Sequence, residues 1–155
     1  SFGAAPVGPG GPLPGRPFPT GIGVFIAHRL AAEGVTKLVI AARRLERLER
    51  VKANITQHYP QTQVLAVRLD VANAESRQGL VAAVDERFGA CEILVNNAGV
   101  ERSALFQQVS AADIEQTISV NVLGLMHLTR AFIPKMLQHG RGHVVNIASL
   151  AGKGA

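Results

Sequence analysis

Strand-like and helix-like segments alternate along most of this 155-residue chain, and that alternation limits the possible folds more than any other feature. Short runs rich in Val, Leu and Ile are separated by segments whose apolar residues recur with a helical period. The predicted strands cover residues 37–42, 63–69, 91–96 and 143–148, and the predicted helices run from Gly21 to Gly34 and over 43–58, 75–88 and 110–138. The pattern predicts an α/β fold with a doubly wound parallel sheet.

Composition agrees with a sheet packed by helices. Apolar residues make up 47% of the chain and aromatic residues only 5%, so the predicted core is aliphatic. Cys91 is the only cysteine, which excludes an intrachain disulfide and a cysteine-based metal site, and we expect it to be a small core residue of a buried strand. Without an apolar run of membrane-spanning length or a leader pattern, we expect a cytoplasmic protein that does not enter membranes.

Residues 1–19 differ in composition from the rest of the chain. Six prolines and five glycines alternate in this segment, and no periodic apolar pattern is present. Proline lacks a backbone donor, so the segment cannot form a central strand. We expect it to be disordered or polyproline-like, with a role as a proline-rich ligand as the alternative.

The run Ile93, Leu94 and Val95 is short, apolar and without alternation, which favours a strand buried on both faces. Asn96 and Asn97 then follow at the carboxyl end of this strand, where ligands bind in open α/β sheets. The next two residues, Ala98 and Gly99, leave room for another molecule to approach the backbone.

An Asn-Asn-Ala-Gly segment after an apolar strand resembles the hallmark of the short-chain dehydrogenase/reductase family; an ordinary polar turn is the alternative. The resemblance covers residues 20–155, roughly the first part of a family member. It implies a partial dinucleotide-binding domain with a Rossmann-like fold. We expect that fold to be incomplete, because the Pro/Gly segment replaces the first strand and the carboxyl-terminal part of the family pattern is absent.

The start of the first helix resembles the end of the family's Thr-Gly-x-x-x-Gly-x-Gly motif. Gly21, Ile22 and Gly23 supply that end, and backbone amides at a helix N-terminus hold phosphate. Arg16 and Pro17 stand where the motif has its threonine and first glycine, which is a departure from the family. A simple glycine-rich turn is the alternative.

Cofactor preference is predicted from the end of the second family strand, where an acid would bind the ribose of NAD. This chain has Arg43 and Arg44 there, and an arginine can bind a 2′-phosphate with two hydrogen bonds. The resemblance therefore implies NADP(H), with a solvated basic helix start as the alternative.

Asp70 and Val71 resemble the family's adenine-contacting pair, although Asp70 could also cap a helix. The predicted cofactor contacts also include Asn97, Ala98 and Gly99.

The net charge of +5 suits an anionic cofactor. Lys and Arg are scattered and aromatic residues are few, so we expect no nucleic-acid partner.

Two predicted catalytic residues follow from the resemblance. Asn121 is a poor helix former within the helix predicted over 110–138, and the matching family residue lies at a kink and holds a water; an exposed or locally bonded asparagine is the alternative. Ser149 follows the last strand, where the matching serine bonds the substrate carbonyl; a turn serine is the alternative. The family's Tyr-x-x-x-Lys motif is absent, and the single tyrosine, Tyr59, precedes Pro60.

The sequence therefore predicts a fragment of an NADP-dependent reductase that moves hydride between NADP(H) and a small carbonyl or alcohol. We expect it to be inactive as given, because the tyrosine and lysine are missing. The alternative is a non-catalytic truncated isoform that acts by binding. Such a protein could pair with other subunits through the helix containing Asn121, which is a usual dimer surface in the family.

Overall fold

The structure is a computed structural model that describes residues 21–101 and 104–149. The predictions for residues 1–19 lie outside the described residues. The helices are α1 (Ile22–Ala32), α2 (Leu45–His58), α3 (Ala74–Phe88), α4 (Ala111–Ile118) and α5 (Leu125–Gln138). The strands are β1 (Lys37–Ala42), β2 (Gln63–Arg68), β3 (Ile93–Asn96) and β4 (His143–Asn146). The predicted α/β class is confirmed, and most predicted bounds differ from the observed ones by one or two residues.

Two helix starts have side-chain caps that the sequence makes recognisable. The Ser110 hydroxyl caps α4 by accepting a hydrogen bond from the Asp113 amide at 3.1 Å. The Asn73 side chain caps α3 by accepting from the Ser76 amide at 2.8 Å. The cap of α3 is thus Asn73, and the alternative role of Asp70 as the cap is wrong.

Among the described residues, the four strands form two separate two-stranded parallel sheets. β1 pairs with β2, and β3 pairs with β4. Neither β1 nor β3 has a second strand neighbour in this part of the chain. Two small separate sheets in the described residues agree with the expected incomplete Rossmann-like fold.

Two clusters of buried side chains lie on opposite faces of the β1–β2 sheet. The first cluster joins α1, β1 and α2, and its buried residues are Ala27, Ala31, Leu38, Ile40, Leu48, Val51 and Ile55. The second joins α3, α5 and the chain after β2, and its buried residues are Leu69, Val71, Leu80, Val84, Val120, Leu128, Phe132 and Met136. Leu38 and Ile40 face the first cluster whereas Val39 packs against the second, as the two-residue period of a strand requires. Helices therefore cover both faces of this sheet, as predicted.

The expectation that the strand over 91–96 is buried on both faces is wrong. Ile93 is 47% exposed, and all four residues of β4 are exposed. Leu94 packs against the second cluster. Among the described residues, β3 is therefore covered on that one face. Cys91 precedes the strand and is half-buried against the same cluster, and this burial raises the pKa of its thiol.

In the described ranges, no helix is both long enough and apolar enough for a membrane span.

Candidate active site

The predicted cofactor residues at the start of α1 lie at a helix entry that requires glycine. Gly21 precedes α1 with a φ of 139°, a backbone conformation that other residues rarely adopt. Its carbonyl accepts hydrogen bonds from the amides of Val24 and Phe25, which begin the helix. Ile22 is the first helical residue, and its side chain is exposed. Gly21 has no side chain to cap the helix, so it does not occupy the first-turn amides of α1. Amides at this position of a helix are the groups that hold phosphate.

The second glycine of this helix start is in close contact with the segment after β3. A Cβ atom added to Gly23 would lie 2.7 Å from Nδ2 of Asn97, closer than real Cβ contacts. Gly23 therefore allows α1 and Asn97 to meet. Ala98 and Gly99, which follow Asn97, are exposed. The structure thus brings together two groups of predicted cofactor residues that are about 75 positions apart in the sequence.

Arg43 and Arg44 follow β1 directly and are both exposed. The helix predicted from residue 43 begins at Leu45, so both arginines lie in the short connection at the carboxyl end of the strand. Neither arginine has an ion-pair partner within 4 Å in the described part of the chain. Their guanidinium groups are therefore available to an anion from solvent.

The predicted adenine-contacting pair follows β2. Asp70 is exposed, and its Oδ1 accepts a hydrogen bond from the Ala72 amide at 3.0 Å. Val71 is buried in the second cluster, and its carbonyl accepts a 2.7 Å bond from the Arg77 guanidinium. A Cβ atom on Gly124 would lie 2.9 Å from the same carbonyl, so the helix containing Asn121 packs directly against this loop. The side chain of Val71 is thus a core group, and Asp70 is the exposed member of the pair.

Asn121 lies in a π-helical segment, Ser119–Gly124, that joins α4 to α5. The helix predicted over 110–138 is therefore interrupted where the asparagine was expected to distort it. Its Nδ2 donates to the Val100 carbonyl, and its Oδ1 accepts from the Val100 amide, both at 2.8 Å. The alternative of an exposed or locally bonded asparagine is wrong, because these bonds join residues 21 positions apart. The side chain therefore holds the Val100 backbone against the helix.

Asn96 has a structural role that the sequence prediction did not assign. It is buried, and its Nδ2 donates to Thr129 Oγ1 at 3.1 Å and to Asn146 Oδ1 at 2.8 Å. Its carbonyl also accepts from the Ile147 amide at 2.9 Å. Asn96 therefore joins the carboxyl ends of β3 and β4 to α5. The only sequence signal for this role was an amide side chain at the end of each of the two strands.

Ser149 comes three residues after Asn146, the last residue of β4, and is exposed. Asn96 and Asn146 are partners in the parallel register, so Ser149 follows the same edge of the sheet as Asn97. The predicted catalytic serine and the predicted cofactor segment thus follow the carboxyl ends of two neighbouring strands, β4 and β3.

Tyr59 lies at the opposite edge. It caps the carboxyl end of α2, and its carbonyl accepts from the Thr62 amide just before β2 begins. Its ring centroid is 6.3 Å from that of His28, beside the first cluster. The six-residue strand β2, about 20 Å long, separates Tyr59 from the carboxyl end of that strand, whereas Ser149 follows the carboxyl end of β4.

Comparison with known proteins agrees with this geometry. The family model for short chain dehydrogenases matches residues 19–155. The chain is 35% identical over 136 residues to a ketoacyl reductase, HetN, of Nostoc sp., a match that covers 86% of this chain and 45% of the relative. It is 31% identical over 135 residues to an NADP-dependent 3-hydroxy acid dehydrogenase of Schizosaccharomyces pombe, covering 86% of this chain and 52% of the relative.

Solved structures give the same result. A metagenomic short-chain oxidoreductase in complex with NADP has a TM-score of 0.81 at 33% identity, covering 88% of this chain and 61% of that one. L-sorbose reductase from Gluconobacter frateurii, complexed with NADPH and L-sorbose, has a TM-score of 0.81 at 30% identity, covering 86% and 50%. The chain spans about half the length of the curated relatives it matches. By sequence and by fold, the chain belongs to the short-chain dehydrogenase/reductase family.

Proposed function

We propose that this chain is the cofactor-binding part of an NADP-dependent reductase that acts on a small carbonyl or alcohol. The observation that carries the proposal is that Arg43 and Arg44, at the carboxyl end of β1, are exposed and have no ion-pair partner among the described residues. Related structures were solved with NADP or NADPH, which supports this choice of cofactor.

Each part of the site has a separate task in this proposal. The amides that follow Gly21 hold the diphosphate, and Arg43 binds the 2′-phosphate. Asn121 acts as a positioning residue, because it holds Asn97 to Val100 in place through Val100. Ser149 donates a hydrogen bond to the substrate carbonyl oxygen. The bound cofactor supplies or accepts the hydride.

The cofactor preference is tested by exchanging Arg43 for aspartate. We expect the parent chain to bind NADPH more tightly than NADH, and Arg43→Asp to weaken NADPH binding by roughly ten-fold to a hundred-fold. That range corresponds to about 1.5–3 kcal/mol for hydrogen bonds to a charged group. Titration calorimetry with both cofactors measures the effect.

The control for that experiment is Arg50→Asp, which makes the same charge change on the exposed surface of α2. It should weaken NADPH binding much less, because long-range attraction through water is screened by salt. A parent chain that prefers NADH would show that Arg43 does not have this role.

A second candidate function, association with another subunit, is favoured by an apolar stripe along α4, the π-helical segment and α5. The stripe consists of Ile114, Ile118, Val122, Met126, Ile133 and Leu137. These residues recur mostly at intervals of four, and all are exposed; Met126 is 58% exposed and Leu137 is 75% exposed. We propose that this face of the helix containing Asn121 pairs with the same face of a second copy.

Sedimentation velocity tests this association. We expect the parent chain to form dimers and Met126→Glu to be monomeric at the same concentration, because the substitution places a carboxylate in an apolar contact. Gln57→Glu, which adds the same charge at an exposed position on α2, should leave the dimer intact. A parent chain that remains monomeric at high concentration would rule out this pairing.

A further inference from the structure

Arg68 lies beside the two arginines of the proposed cofactor site, although it is 25 positions beyond Arg43 in the sequence. It is the last residue of β2 and the register partner of Ala42, the last residue of β1. The next amide, that of Leu69, donates to the Ala42 carbonyl at 2.9 Å. Neighbouring strands lie about 4.8 Å apart, so Arg68 is adjacent to the residue that precedes Arg43.

The face on which Arg68 lies follows from its neighbours in β2. Val64 and Ala66 pack against the first cluster, whereas Val67 packs against the second. The two-residue period of a strand therefore places Arg68 on the face that α2 covers. Because α2 returns from the end of β1 to the start of β2, its first turn lies at the same edge as Arg68.

The charges at this edge are unbalanced. Arg68 is exposed and, within the described residues, has no ion-pair partner within 4 Å. The nearest acids along the chain are Glu46 in the first turn of α2 and Asp70, and neither forms an ion pair with an arginine in the described residues. Together with Arg43 and Arg44, this edge presents three guanidinium groups whose mutual repulsion a bound anion would relieve.

We propose that Arg68 is a specificity-determining residue that binds the same 2′-phosphate as Arg43. The proposal rests on the proposed function, and it extends the phosphate site from the end of one strand to the ends of two. Two arginines on neighbouring strands can approach one phosphate from different directions, which suits its three oxygen acceptors. Arg68 contributes to selectivity only when the ribose carries that phosphate.

Two small ligands isolate this contribution. Adenosine 2′,5′-bisphosphate carries the 2′-phosphate, and adenosine 5′-monophosphate lacks it. The dissociation constant of the monophosphate divided by that of the bisphosphate therefore reports the preference for the 2′-phosphate alone. We expect Arg68→Gln in the 155-residue chain to lower this ratio about ten-fold while leaving the affinity for the monophosphate unchanged. Titration calorimetry or ligand-observed NMR provides both constants.

Arg50→Gln is the matched control. It removes one exposed positive charge from α2, the helix that covers the face of β2 on which Arg68 lies, without changing the strand end. It should leave the ratio within two-fold of the parent value. Arg68→Lys keeps the charge and should retain part of the selectivity. It also supplies a folded variant if Arg68→Gln lowers stability, which the thermal midpoints of all variants will show.

The outcomes separate this proposal from the proposed function. If the parent prefers the bisphosphate and Arg43→Gln abolishes the preference, but neither Arg68 variant changes it, then the role of Arg68 is wrong and the NADP assignment remains. If Arg50→Gln changes the ratio as much as Arg68→Gln, general attraction explains the effect and the proposal fails. A parent without preference for the bisphosphate would overturn both proposals.

Discussion

Purified 155-residue protein is expected to show no substrate-dependent oxidation of NADPH with aldehydes or ketones. Reduction of a carbonyl needs a proton donor at the developing alkoxide as well as a hydride. In the proposed function Ser149 orients the carbonyl, but the chain's only tyrosine, Tyr59, precedes β2, whereas Ser149 follows the carboxyl end of β4. We therefore expect binding of cofactor without turnover.

The rate of NADPH oxidation tests this expectation. It is followed by absorbance at the NADPH band with a panel of carbonyl compounds. Cofactor binding in the same sample separates missing chemistry from missing affinity. Steady oxidation that depends on substrate would contradict the expectation. If that activity persisted in Tyr59→Phe and disappeared in Ser149→Ala, a proton donor other than tyrosine would operate beside the serine.

The sequence predicted the elements of the fold well because their signals are local. The apolar run at Leu38 to Ile40, the cap at Ser110 and the expected distortion at Asn121 each depend on only a few neighbouring residues. Family resemblance then indicated which segments lie at the carboxyl edge, and the structure brings Gly23 and Asn97 together there.

What the sequence could not predict depends on partners that are distant along the chain. The bonds of Asn96 to Thr129 and Asn146 span 33 and 50 residues, and no short pattern encodes them. Burial of β3 was predicted from its apolar composition, but burial depends on the layers that cover a strand. Arg68 was missed for the same reason, because only the register with Ala42 places it beside Arg43.

The isolated chain is expected to be only marginally stable, with a free energy of unfolding below about 5 kcal/mol. In the described residues β1 and β3 each have one strand neighbour, and residues 1–19 contain six prolines that disfavour a central strand. A missing strand of about five residues forgoes about five backbone hydrogen bonds at ~1 kcal/mol each. It also forgoes three or four buried aliphatic side chains at ~1.5–3 kcal/mol each.

The expected loss, about 10–17 kcal/mol, is at least as large as the whole stability of an ordinary domain. The uncovered strand edges and the exposed face of β4 also make association of partly folded chains favourable. Urea unfolding of purified monomer, followed by far-ultraviolet circular dichroism, measures the stability. A cooperative transition with a free energy above about 5 kcal/mol would contradict the expectation.

A matched pair of substitutions shows whether the sheet face is open in solution. Val145 in β4 is 42% exposed and Val84 in α3 is 4% exposed, and valine and threonine have nearly the same shape. Val84→Thr buries a hydroxyl and should lower the free energy of unfolding by about 1–3 kcal/mol, whereas Val145→Thr should leave it nearly unchanged. Equal losses would mean that another segment covers β4, and the chain would then have a stabilising layer that accounts for a higher stability.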